Sequence, residues 1–274
     1  MQKTLQVTKY FFRNYYRSRS FYLMLVIDIL ICVLFIYFSF RYTSKIGAFA
    51  GRIIKNPPES IIKNVFDYIW NFALLYLPVL AAVFFGSPAI SSEIEDRTAY
   101  HIFPLPISRY SLFAGKFIAA FLVSLVVIFI FLGVEWAVFP FVFHTYQVTA
   151  FYSTIYLVVI FLFSILSVTF LSSSIFNRNL YAYITVFVAY FLILNAAGYI
   201  INILYGYTPS YLLNVAAEIL QTVYINIPIF GGSSSLSIAP ASSSTILHSI
   251  LIMLAYAFVS LAIAIILFER KEVR

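Results

Sequence analysis

SSEIEDRTAYHIFPLPISRYSLFAGK, residues Ser91 to Lys116, packs three acids, three bases and two prolines into a chain of which only 10% is charged. It lies between two long apolar runs. Charge this dense does not remain in hydrocarbon, so the stretch reads as an aqueous loop joining two membrane helices. Within it, Ser91-Ser92-Glu93-Ile94-Glu95 has the form of a helix start, with acids at the positive end of the helix dipole. Pro104 and Pro106 would end that helix, and Ser108 is placed to cap the helix that follows.

Working outward, hydrophobic residues make up 63% of the 274, and mean hydropathy is +0.97. Such values exclude a soluble globular domain. About 20 apolar residues cross a hydrocarbon core about 30 Å thick. Six runs of that size occur, at Phe21–Phe40, Val65–Ile90, Phe117–Phe139, Phe151–Phe176, Tyr181–Tyr205 and Ile246–Phe268. Short alternating strands, the signature of a membrane barrel, are absent from the sequence. The expected fold is therefore an all-α integral membrane protein with six transmembrane helices. Residues 1–20 precede the six-helix domain, 21–274, whose parts include the charged loop at 91–110 and an outer segment at 205–245. Pro78, Gly86 and Pro88 predict a kink or early break in the second span.

Six crossings put both termini on one side. If that side is cytoplasmic, twelve of the seventeen Lys and Arg are inside, and five (Arg41, Lys45, Arg52, Lys55, Lys63) are outside. This asymmetry accounts for the net charge of +7 without nucleic acid. The expected location is the cell membrane, multi-pass, with cytoplasmic termini. The many bases before the first apolar run differ from a cleavable signal, so the first span is expected to act as its own insertion signal. Ahead of it, Leu5, Thr8, Phe11, Phe12, Tyr15 and Tyr16 share one side of a helical wheel, while Lys9, Arg13 and Arg17 recur on the other. This pattern predicts an amphipathic helix lying on the inner membrane surface, with Phe12 and Tyr16 in the interface and Lys9, Arg13 and Arg17 toward lipid headgroups.

Catalytic motifs are missing. No Gly-x-x-x-x-Gly-Lys-Ser/Thr occurs, since Gly115-Lys116 is followed by Phe117 and preceded by Tyr110 at the first glycine position. His101, His144 and His248 are dispersed, and the lone Cys32 lies in a span, so neither metal nor disulfide chemistry is expected. Acids at membrane depth are functional candidates by default. Asp28 would sit about 10 Å into the first span. Glu135 is expected near the outer boundary of the third span, solvated at the interface, and Glu218 in the outer segment. That segment contains Tyr211–Ile227, YLLNVAAEILQTVYINI, bounded by Pro209 and Pro228, which reads as one or two re-entrant or interfacial helices. Gly231-Gly232-Ser233-Ser234-Ser235 and Ser242-Ser243-Ser244 read as flexible loops.

The loop carries Glu93, Glu95, Thr98, Phe103, Leu105, Pro106-Ile107-Ser108-Arg109 and Gly115-Lys116 in an order that resembles the membrane subunits of type-2 ATP-binding-cassette (ABC) transporters. Arg97 stands where many members have glycine before the threonine. The six spans, the basic N-terminal helix and the charged end Phe268-Glu269-Arg270-Lys271 extend the likeness over nearly the whole chain. The resemblance implies a permease subunit of an exporter, not itself an enzyme. Glu93, Glu95, Asp96, Arg97, Thr98, His101 and Phe103 would form a coupling helix docking on a separate ATPase. Pro106, Ser108, Arg109 and Lys116 would lead into the third span. ATP and magnesium would bind to the partner, two ATPase subunits per complex, beside a second permease copy or paralogue. An ion-gradient transporter using Asp28 or Glu135 is the alternative in another class, and a membrane assembly factor without transport is a third.

Overall fold

Long apolar runs leave the backbone one way to satisfy its polar groups in lipid, the helix, and the chain takes it. In the computed structural model the described residues are 2–53, 59–96, 108–145, 148–223, 227–229, 236–238 and 241–271. Helix α1 spans Gln2–Arg17 and α2 spans Arg19–Ile53. Next come α3 (Glu59–Gly86), the short α4 (Pro88–Glu95), α5 (Arg109–Phe143) and α6 (Val148–Ile175). The fifth span consists of α7 (Asn179–Val188), a π-helical turn (Ala189–Leu194) and α8 (Asn195–Tyr205). Two one-turn helices, α9 (Leu213–Ala217) and α10 (Ile219–Thr222), precede strands β1 (Ile227–Ile229) and β2 (Leu236–Ile238), and α11 covers Ser243–Arg270. Among these residues six helices are long and apolar enough to cross a membrane, and the chain is a multi-pass membrane protein.

Helices α3 and α6 form the centre, with α5 half-buried beside them, whereas the first, fifth and sixth spans are mostly exposed. α11 packs along α6, α3 crosses α6, and α2 lies against α3 and α5. Aromatic rings make the joints. Phe113 and Phe117 on α5 meet Phe170 on α6, and Phe113 also meets Phe268 on α11. On the other side Phe35, Trp70 and Phe131 join α2, α3 and α5, and the Trp70 indole donates to Ser39 Oγ at 3.0 Å. Edge-to-face ring pairs of this kind add about 0.5–1.5 kcal/mol each beyond their buried area. Gly86 is the tightest crossing: a Cβ there would lie 2.0 Å from Thr169 Oγ1 of α6.

Several expectations change. The second span is interrupted only at Ser87, which keeps helical angles and bonds back to Val83 O at 3.3 Å, so α4 nearly continues α3. α4 starts at Pro88, whose fixed φ suits a first helical position, and not at Ser91. The hydroxyls of Ser91 and Ser92 bond back to Ser87 O and Pro88 O instead of capping. The segment from Arg41 is helical up to Ile53, so the first outer loop is shorter than its polarity suggests. Ser108 does cap α5, its Oγ accepting from Ser111 N at 3.2 Å. In the outer segment the two short helices are present, but β1 and β2 form an antiparallel pair, Ile227 opposite Ile238, that periodicity did not announce.

Candidate functional site

Lys116 of α5 is fully buried, which for an ammonium demands a complete set of partners. It forms an ion pair with Glu93 of α4, donates to Ala89 O at 2.7 Å, and lies 4.9 Å from the centre of the Phe11 ring on α1. Three donors thus meet a carboxylate, a carbonyl and a π face, and three helices are tied at one atom. The preceding residue makes this approach possible. A Cβ on Gly115 would fall 2.5 Å from Val7 Cγ1, so the missing side chain is what lets α1 lie on α5. Burial, helped by the Glu93 charge, pushes the Tyr15 phenol far above its ordinary range. Beside this knot a cavity of about 330 Å³ opens between α1 and α4, lined in part by Tyr10, Asn14, Tyr15, Ser92, Glu93 and Asp96.

The other side of α4 is fastened to the turn between the fourth and fifth spans. Ile90 N and Ser91 N both donate to Ser173 Oγ, at 2.9 and 3.1 Å, and the one Ser91 hydroxyl proton is shared between Ser87 O (2.9 Å) and Asn179 Oδ1 (2.7 Å). Glu95 Oε2 accepts from Asn179 N at 2.8 Å, at the N-terminus of α7 where the helix dipole favours an anion. Cations occupy the complementary positions at helix C-termini. Arg109 donates to Glu269 O (2.6 Å) and Lys271 O (3.2 Å) at the end of α11. Lys271 Nζ donates to Ser174 O and Phe176 O, each at 3.0 Å, at the end of α6. Partial desolvation lowers the Lys271 ammonium to about 8. All of these links lie at the end of the bundle that holds α1 and the end of α11.

Of the residues expected in the coupling loop, Arg97, Thr98, His101, Phe103 and Pro106 lie outside the described residues. Glu93 is not offered to a partner: it is buried against Lys116, because α4 continues α3 and its first turns remain inside the bundle. Glu95 and Asp96 are exposed, Glu95 already bound to the start of α7. Lys9, Phe12, Arg13, Tyr16 and Arg17 are exposed, as an interfacial face requires. The rings of α1 divide, however, since Phe11 and Tyr15 turn inward with Val7 and Thr8, leaving Leu5, Phe12 and Tyr16 outside.

The three acids expected at membrane depth occupy separate elements. Asp28 on α2 is fully buried, and neither carboxylate oxygen has a partner among the described residues. Glu135 is buried, not solvated at an interface, because α5 continues for two more turns to Phe143; its Oε2 lacks a hydrogen bond, and Asp67 on α3 is its charged neighbour. Glu218 is exposed between α9 and α10, and partial desolvation raises its carboxyl. Asp67 escaped sequence reading because it sits near the start of its span, where an acid is ordinary. No group of three or more His, Cys, Asp or Glu fit to hold a metal occurs among the described residues.

A family model described as ABC-2 family transporter protein matches residues 6–273. No curated protein matches the chain.

Proposed function

Because the chain belongs to the ABC-2 transporter family, its match covering residues 6–273, we propose that this membrane permease works as one half of an ATP-driven exporter. The family member is a transmembrane subunit without an ATPase motif of its own, and an ABC ATPase is its general partner. In the proposed complex two such ATPases bind ATP and magnesium, and two permease halves meet through the exposed first, fifth or sixth spans. Both termini face the cytoplasm, which puts Lys9, Arg13 and Arg17 against the inner leaflet and the loop after Glu95 against the ATPase.

The observation that carries this reading is the fastening of α4. A helix that leads directly into the charged loop is pinned on one side by Lys116 to α5 and α1, and on the other by Ser173 and Asn179 to the fourth and fifth spans. Closure of an ATPase pair would displace the loop, and α4 would pass that displacement to several spans at once as a rigid-body shift. Arg97 and the rest of 97–107 would supply the docking contacts; Glu95 would add only what its bond to Asn179 leaves free.

The test is a pull-down of the tagged chain from solubilised native membranes, with mass spectrometry of what accompanies it. A stoichiometric Walker-motif ATPase, lost on charge reversal at Asp96 and Arg97, is the expected result. A clean preparation with no ATPase would refute the reading. It would turn attention to Asp28, whose unpartnered buried carboxyl is the observation that favours ion-gradient coupling.

A further inference from the structure

Asp28 is the one acid of α2, and the stripe it belongs to faces the bundle. Phe21, Met24, Asp28, Cys32, Phe35 and Ser39 recur at three- and four-residue spacing along that face. Ring contacts on either side of Asp28 fix what stands opposite it. Seven residues further along α2, Phe35 meets Trp70 of α3 at 5.3 Å and Phe131 of α5 at 5.9 Å. Seven residues earlier, Phe21 meets Phe85 of α3 at 6.3 Å. α3 runs antiparallel to α2, so Asp28 stands opposite the midpoint between Trp70 and Phe85, which is Leu77–Pro78. α5 runs parallel to α2, so the residue at its level lies seven before Phe131, two turns back on the same face: Ser124.

Each helix brings an oxygen to this level. Asp28 and Ser124 are fully buried, and neither carboxyl oxygen nor the Ser124 hydroxyl has a hydrogen-bond partner among the described residues. Pro78 has no N–H to give, so the carbonyl of Leu74, also fully buried, lacks its helical donor. Leu74 follows Trp70 by one turn, on the face of α3 that meets Phe35 of α2 and Phe131 of α5. Charged groups are remote. On α2 the nearest titratable group is the Cys32 thiol, one turn on. On α3, Asp67 lies eleven residues from Pro78 and Lys63 further, while Tyr76 turns to Phe191 of the fifth span. On α5, Lys116 is committed to Glu93, and Glu135 lies eleven residues from Ser124. Helix α1 turns Tyr15 toward Phe85, not toward Asp28.

This arrangement selects the occupant. A lone carboxylate away from water and counter-charge is too costly to keep, so Asp28 must hold a cation. An alkali ion needs a full set of oxygens in place of its hydration shell, and this level offers two from Asp28, one from Ser124 and one from Leu74. A proton needs no space and a single acceptor. With it, Asp28 becomes a donor to Leu74 O, and the Ser124 hydroxyl can donate to the other carboxyl oxygen, so every orphaned group is satisfied. We propose that Asp28, Ser124 and the Leu74 carbonyl form a site for an exchangeable proton within the bundle. Exchange follows from the geometry of α3. The acceptor belongs to one helix and the acid to another, so a shift of α3 along α2 removes the acceptor and loosens the proton. The site does not depend on coupling to an ATPase.

The experiment treats the full chain in lipid nanodiscs with dicyclohexylcarbodiimide, an apolar reagent that reacts with protonated carboxyls. Mass spectrometry of the Asp28 peptide follows the labelling from about pH 5 to 10. Labelling is expected to fall as pH rises and to return when pH is lowered, and Asp28→Asn abolishes it. Ser124→Ala removes the hydroxyl, and Pro78→Ala gives Leu74 O a helical donor. Each should move the midpoint by about one pH unit, tenfold in proton affinity. Ser164→Ala, equally buried but on α6, should leave it in place. No labelling at any pH, labelling equal across the range, protection by sodium chloride against choline chloride, or midpoints unmoved in both variants would each overturn the proposal. The first three are read on the parent chain, so they decide even if a variant fails to fold. The labelling needs no ATPase: a pull-down without one would sink the exporter reading and leave this site standing on its own profile.

Discussion

Replacing Lys116 by methionine keeps the length of the side chain and removes its charge, which isolates what the buried ion pair does. The Lys116 and Glu93 side chains are 1% and 9% exposed, so the carboxylate left behind has almost no water to turn to. Breaking a buried pair by removing one member costs about 3–5 kcal/mol, because the survivor is an uncompensated charge. The lost bond to Ala89 O and the lost contact with the Phe11 ring fall within the same event, so about 4 kcal/mol is the expected total. For a chain of this size that lowers the apparent melting temperature by roughly 10 °C. Lys116→Met combined with Glu93→Leu removes both charges, and replacing a whole buried pair by apolar groups is often neutral. The double variant should therefore recover most of the loss, giving a coupling energy of about 3 kcal/mol in the cycle. The assay is thermal unfolding of the solubilised permease followed by fluorescence-detected gel filtration for all four proteins. A double variant as unstable as Lys116→Met, or a single variant within about 1 kcal/mol of the parent, would refute the reasoning.

Gly115→Val should drive α1 off α5, because even a Cβ would lie 2.5 Å from Val7 Cγ1; the expected result is rapid tryptic cleavage after Lys9, Arg13 and Arg17 in a protein whose six spans remain folded, and unchanged protection would contradict the contact. Lys271 gives a pH dependence. Its ordinary value of 10.5 falls to about 8 in the folded protein, so between these limits the unfolded chain holds a proton that the native one has released. Stability should rise with pH from about 8 upward relative to a Lys271→Gln variant. The difference between the two proteins, followed from pH 7 to 9, should be flat below that window; a fall with pH would reverse the assigned sign.

How much of this was legible in the sequence depends on the range of the interaction involved. The six spans were, because each is a local property of about twenty neighbours. The Ser108 cap was too, since donor and acceptor lie within one turn. Glu93 was not: its charge argues for water, and only the near-continuity of α3 and α4 through Ser87 shows that it enters the bundle toward Lys116 on the far side of the loop. The wheel of α1 showed two kinds of face but could not divide its rings between lipid and α5; Gly115, in another element, decides which rings turn inward. The β1–β2 pair was hidden because strands of three residues, one holding Pro228, carry too little alternation to register.

The strengths of these links also decide how a push on the loop would travel. Bending α4 away from α5 would expose or strand the Lys116–Glu93 pair, a cost of about 3–5 kcal/mol, and would release Ser173 Oγ from two backbone donors as well. The contacts that hold the end of α11 are of another kind. Arg109 and Lys271 grip backbone carbonyls from half-exposed or exposed positions, where a charged hydrogen bond contributes about 1.5–3 kcal/mol before solvent competes for it. A push on the loop, if an ATPase supplied one, would meet α1, α4 and α5 tied together and reach the start of α7 through Asn179. The buried charge at the first turns of the third span joins α1, α4 and α5 about one nitrogen atom, a directional tie that an apolar pair, though it could hold α4 nearly as firmly, would not make.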